Sequence, residues 1–131
     1  DRVLLDAPCS GLGALRRRPE ARWRKKHSDL VGLVETQTQL LNSAVTLTKP
    51  GGIVAYVTCS PVTAETTDIV RAALAHHPNV EAMDTPLVLE EIVGRAVPGA
   101  RRASGVQLWT HRHGTDAMFI QLLRVNETSP R

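Results

Sequence analysis

Two cysteines, each standing just beyond an apolar run, are the side chains of this sequence best equipped for covalent chemistry. Cys9 lies in Val-Leu-Leu-Asp-Ala-Pro-Cys-Ser-Gly (residues 3–11) and Cys59 in Ile-Val-Ala-Tyr-Val-Thr-Cys-Ser-Pro (residues 53–61). A thiolate attacks an electron-poor carbon and forms a covalent intermediate, and a nearby carboxylate such as Asp6 can hold or pass a proton during that step. Pro8 and Pro61 stiffen the two loops and remove backbone donors from them. Nothing in the pattern assigns a role to Ser10 or Ser60, although the two cysteines share the same Cys-Ser context.

The elements needed to bring these groups together are legible around them. Short runs of apolar and β-branched residues bounded by turn formers predict buried strands at Arg2–Asp6 and Ile53–Thr58. Between them, Leu30, Leu33, Val34, Leu40, Leu41, Ala44, Val45 and Leu47 predict a crossover helix over Asp29–Leu47, capped by Ser28, interrupted by a polar stretch at Glu35–Gln39 and ended by Pro50-Gly51-Gly52. That is a βαβ unit. Its right-handed crossover leaves the strands parallel, so both cysteine loops open on one sheet edge, where ligands of α/β sheets bind.

Further along, Thr63 is predicted to cap a second helix running to about His76, with Glu65 and Asp68 complementing the dipole of its first turns. A strand over Val80–Met83 follows, then a short helix or extended piece at Leu87–Val93 and a mobile loop over Gly94–Gly105. Val106–Thr110 and Ala117–Val125 are expected to form a closing antiparallel hairpin around His-Arg-His-Gly-Thr-Asp, and Asn126–Arg131 a disordered tail. His76 and His77 are expected to serve the dipole at the end of the second helix.

The two cysteine motifs, fifty positions apart, resemble the paired motifs of the Sun/Fmu family of RNA (cytosine-5)-methyltransferases. The similarity extends from Asp1 to about Val125 through Arg16–Trp23, Gln39, Lys49–Gly52 and His111–Phe119. Where the family shows proline before the late histidine and Gly-Phe-Phe after the aspartate, this chain has Thr110 and Ala117-Met118-Phe119. The resemblance implies an S-adenosylmethionine-dependent enzyme that makes 5-methylcytosine in RNA, ribosomal RNA by analogy with bacterial members. It implies Cys59 as the nucleophile that adds to C6 of cytosine and Cys9 as the group assisting product release. Asp6 would bind the base edge or lie with Pro8 at the cofactor, and both roles stay open. In the family, the glycine-rich cofactor loop precedes the first cysteine motif. Residues 1–125 are therefore expected to be the carboxyl-terminal half of a Rossmann-like class I methyltransferase domain, with four or so strands of a seven-stranded α/β sheet, inactive by itself.

Charge distribution agrees with a polyanionic partner. The net charge is only +3, but residues 1–26 hold eight basic side chains against three acidic ones, or +5. Arg16, Arg17, Arg18, Arg22, Arg24 and Lys25 can neutralise phosphates, and Trp23 can stack on a base unless it is a core anchor. A solvated charged face is the plain alternative reading. With 42% hydrophobic residues and no apolar run of membrane length, a soluble cytoplasmic domain with free thiols is expected rather than a disulfide-bonded one. The spacing of His111, His113 and Asp116 is poor for zinc, and no metal is expected.

Two other functions remain open. DNA cytosine-5 methyltransferases use the Pro-Cys cysteine, here Cys9, as nucleophile, but the second Thr-Cys-Ser-Pro motif belongs to the RNA pattern. Alternatively, the chain is a non-catalytic RNA-binding or self-associating fragment, because its first strand, Arg2–Asp6, would present an apolar edge able to pair with a second copy.

Overall fold

The computed structural model describes residues 1–24 and 26–127. Six strands form one mixed sheet: β1 (Arg2–Asp6), β2 (Ile53–Thr58), β3 (Val80–Ala82), β4 (Arg101–Arg102), β5 (Gly105–Gln107) and β6 (Phe119–Val125). Their order is β1-β2-β6-β5-β4, with β3 also paired to β6. The helices are α1 (Ala21–Arg24), α2 (His27–Leu47), α3 (Thr67–His76), α4 (Thr85–Val93) and α5 (Thr110–His113).

β1 and β2 are parallel, from Arg2 opposite Ile53 to Asp6 opposite Val57, and α2 is the crossover between them. Alternation along β2 buries Val54, Tyr56 and Thr58 on one face. On that face they join Leu41, Ala44 and Val45 of α2, Ile69, Val70 and Ala73 of α3, and Phe119, Leu123 and Val125 of β6. The rings of Tyr56 and Phe119 meet edge to face, 6.4 Å between centroids. Among the described residues, nothing pairs with the outer edge of β1, and Leu4 is 73% exposed.

Several boundaries differ from the sequence expectation for local reasons. α2 starts at His27 with Lys26, not Ser28, at its cap, and the Lys26 backbone N–H donates to Asp29 Oδ2 at 3.0 Å. Thr63 does not cap a continuous helix: Thr63–Glu65 is a 3₁₀ turn, the backbone breaks at Thr66, and α3 begins at Thr67. Burial holds the His77 pKa below its ordinary value, and its Nε2 is 2.9 Å from Asn42 Oδ1, so His77 ties α3 to α2 instead of supplying charge.

In the carboxyl-terminal part, the alternative left open at Leu87–Val93 resolves as helix α4, capped by Asp84, whose Oδ1 accepts from the Leu87 N–H. The segment expected to be a mobile loop contains β4, paired with β5 through Arg101–Val106 and Arg102–Gly105. β5 and β6 are antiparallel as expected, but the connection between them carries α5, and β6 lies inside the sheet, between β2 and β5. Asn126, expected to begin the tail, donates its N–H to Asn79 O, whereas residues 128–131 lie outside the described residues.

Leu41 is fully buried and Leu47, on the same helix, is 80% exposed. Urea unfolding is expected to show Leu41→Ala losing about 3 kcal/mol, with Leu47→Ala nearly neutral. Equal losses would contradict this placement of α2.

Candidate functional site

Parallel pairing carries both chain segments to the same end of the sheet. β1 ends at Asp6, the Ala7 N–H still donates to Val57 O at 2.9 Å, and the loop then turns through Pro8, Cys9 and Ser10. β2 ends at Thr58 and delivers Cys59 alongside. The two sulfurs are free thiols 3.3 Å apart. They lie on a cavity of about 600 Å³, also lined by Asp6, Pro8, Arg17, Arg18, Arg24 and Asp29. Asp6 and Pro8 are exposed towards solvent.

The loops are fastened from three sides. The Gly13 N–H donates to Cys59 O at 2.9 Å and Gly13 O accepts from the Ala117 N–H at 2.8 Å, so this glycine is inserted between the second cysteine and the start of β6. A Cβ at Gly13 would meet Ala117 O and come within 2.7 Å of the Cys59 carbonyl. From beneath, the fully buried Glu65 carboxylate accepts from the Ser10 N–H (2.7 Å), both serine hydroxyls and Gln37 Nε2. From the far side, Arg102 donates to Pro61 O at 2.8 Å and to Thr63 Oγ1 at 2.9 Å.

These fasteners escape a reading of the sequence by period and motif. Glu65 fits the first-turn pattern of a helix but faces inward. Gln37 sits in the polar interruption of α2, yet its spacing from Leu33, Val34 and Leu41 places it on the buried stripe, and its Nε2 also donates to Pro8 O at 2.9 Å. That spacing is the available signal. Gln39, the glutamine carried by the family resemblance, is exposed.

Burial, followed by the hydrogen bond with Cys59, pushes the Cys9 thiol up to about 12. Cys9 therefore keeps its proton at neutral pH. The 3₁₀ turn Thr63–Glu65 separates Cys59 from α3, which begins only at Thr67. The Tyr56 hydroxyl, raised well above its usual value by burial and then by the Glu65 charge, donates to Glu65 O at 2.8 Å.

The basic segment is split in two by its partners. Arg16 and Arg17 close on Asp116, with N–O distances of 2.7 Å each, and these guanidiniums hold the Asp116 carboxyl below its ordinary value. Arg18, Arg22 and Arg24 are exposed, and Trp23 is 81% exposed, so it is no core anchor. The Arg22 guanidinium stands 5.1 Å from the Trp23 ring centroid. Lys25 lies outside the described residues. Among those residues, no group of three or more His, Cys, Asp or Glu side chains is arranged to hold a metal, and no helix is long and apolar enough to cross a membrane.

A family model described as 16S rRNA methyltransferase RsmB/F matches residues 1–124. The Mycobacterium tuberculosis protein Rv1407 is 55% identical over 124 residues, 95% of this chain and 26% of that protein. Ribosomal RNA small subunit methyltransferase B of Pasteurella multocida is 36% identical over 124 residues, again 95% of this chain and 26% of the relative. The chain thus spans about a quarter of the length of these proteins. Among solved structures, PH0851 superposes with a TM-score of 0.82 at 32% identity, over 95% of this chain and 26% of that one. The fold also matches NSun6 from Pyrococcus horikoshii, solved with SFG, with a TM-score of 0.74 at 20% identity, over 95% and 30% of the two chains.

Gly13→Ala is expected to cost about 2 kcal/mol in urea unfolding, because the new methyl group meets backbone that cannot swing away. An unchanged midpoint would show that the contact between Gly13 and Cys59 is loose.

Proposed function

The chain belongs to the RsmB/F family of 16S rRNA methyltransferases, and we propose that it supplies the two-thiol centre of an enzyme that methylates C5 of cytosine in ribosomal RNA. The observation that carries this reading is the Cys9–Cys59 sulfur pair, 3.3 Å apart on a cavity flanked by arginines. C5 of cytosine is too electron-poor to take a methyl group directly. The Cys59 thiolate adds to C6, a C–S bond forms, and the ring electrons become available at C5. Once C5 is methylated, its proton passes to a base, for which the Asp6 carboxylate on the same cavity is available, the electrons return, the C–S bond breaks and the Cys59 thiolate is regenerated. Cys9, which holds its proton, serves the release step by offering a hydrogen bond to the departing Cys59 sulfur.

S-adenosylmethionine supplies the methyl group as an electrophilic sulfonium when bound. Asp6 and Pro8 suit one wall of its site, since both line the cavity and face solvent. Asp6 has a second use at the base edge, where a carboxylate can accept from the cytosine amino group. Arg18, Arg22, Arg24 and Lys25 are proposed to hold phosphates, with Trp23 stacking on a base. Arg16 and Arg17 fix the loop to Asp116 first and contact RNA with their remaining donors. In this reading, residues 1–125 are the carboxyl-terminal half of the catalytic domain, inactive alone, and the enzyme works in the cytoplasm.

The assignment is checked in the full-length protein that carries this chain, with labelled cofactor and substrate RNA. Cys59→Ala is expected to abolish methyl transfer, and Cys9→Ala to accumulate a denaturation-resistant protein–RNA adduct. An active Cys59→Ala enzyme with an inactive Cys9→Ala enzyme would exchange the two roles.

A second reading, self-association, is favoured by the unpaired outer edge of β1 and the exposed Leu4. The isolated 131-residue chain is expected to grow in mean mass with concentration in light scattering, and Leu4→Lys to reduce that growth. A monomeric mass across the dilution series removes this reading.

A further inference from the structure

We infer that Glu65 is the positioning residue that sets the separation of the two thiols, an inference that rests on the two-thiol reading above. The two cysteine loops are built alike beneath their sulfurs. In each, the serine after the cysteine accepts the backbone N–H two residues further on: Leu12 N–H to Ser10 Oγ at 3.4 Å and Val62 N–H to Ser60 Oγ at 3.1 Å. Each hydroxyl then has its proton left to give, and both give it to one atom, Glu65 Oε2, at 2.8 Å from Ser10 and 2.5 Å from Ser60. The other oxygen, Oε1, takes the Ser10 N–H at 2.7 Å and Gln37 Nε2 at 3.2 Å.

An ionised carboxylate is acceptor-only, with about four lone-pair sites, and here four donors meet it. The residue is fully buried, where an unsatisfied charge is prohibitive and a satisfied one is rigid. The hydrogen bonds of the Glu65 carboxylate go to the serines and Gln37 and not to either sulfur. It holds the residue next to each, and so fixes one loop against the other. No neutral side chain of the same length does this. The amide introduced by Glu65→Gln would turn its NH₂ towards either the two hydroxyl protons or the Ser10 and Gln37 donors. One pair of donors is left without an acceptor in either orientation.

The test uses the full-length protein and two separate readouts. The first is the rate at which dibromobimane, a reagent that bridges neighbouring thiols, links Cys9 to Cys59. The second is kcat and KM for RNA methylation. Glu65→Gln is expected to slow bridging about tenfold and to lower kcat about a hundredfold, with KM for RNA unchanged. Ser60→Ala, which removes one strut only, is expected to change both in the same direction by less. Wild-type bridging in a folded Glu65→Gln or Ser60→Ala protein overturns the inference, as does a loss of kcat with bridging intact. If Glu65→Gln does not fold, Ser60→Ala decides. A wild-type protein that methylates no RNA sinks the functional reading instead, and the bridging rates still decide whether Glu65 sets the thiol geometry.

Discussion

Parallel pairing of β1 with β2, Asp6 opposite Val57, is the constraint on which the site depends. Had the strands been antiparallel, the two cysteine loops would leave opposite ends of the sheet, some ~15–20 Å apart for strands of this length. Parallel pairing demands a long crossover, and α2 supplies it. The same helix covers the sheet with Leu41, Ala44 and Val45 and sends Gln37 to the cysteine loops, so packing and site construction share one element. A helix shifted by one residue would turn Gln37 about 100° away from the carboxylate it serves.

Charge is sorted by geometry rather than by composition. Two of the arginines in the basic segment bind Asp116, which joins the loop after Cys9 to the connection before β6. That clamp persists above the ordinary carboxylate pKa and weakens as pH falls through the lowered value of Asp116, because protonation removes the acceptor charge. Its distances fix the orientation of the segment, while Arg18 and Arg24 line the cavity and Arg22 and Trp23 stay exposed. A run of arginines therefore contains both structural and solvent-facing members, and only contact geometry separates them.

What the sequence discloses here is what short-range physics decides. The short apolar runs of Arg2–Asp6 and Ile53–Thr58, the apolar stripe of α2 and the turn at Pro50-Gly51-Gly52 are local, and they predict β1, α2 and β2 with little error. Glu65 escapes because a carboxylate in a first turn is ordinarily a dipole partner, and its burial comes from Ser10, 55 positions away. Arg102 lies in a glycine- and proline-rich stretch that has every mark of a loop, yet its anchor, Pro61 O, is 41 positions distant. The insertion of β6 between β2 and β5 is likewise non-local. The repeated Cys-Ser dipeptide after two parallel strands is the one hint of a shared partner beneath both loops.

The pair of thiols carries its own asymmetry. Two thiolates 3.3 Å apart would repel by roughly 5 kcal/mol at an effective dielectric of about 20, so the pair holds at most one negative charge near neutral pH. Burial keeps a proton on Cys9, whose thiol is pushed up to about 12. A protonated neighbour stabilises the anion beside it by hydrogen bonding instead of opposing it. In the proposed reaction this gives the nucleophile and the proton-bearing partner separate residues before any substrate arrives. In that reaction the sulfur separation matters, because a Cys9 thiol can hydrogen-bond a Cys59 thiolate only while the two sulfurs stay in contact.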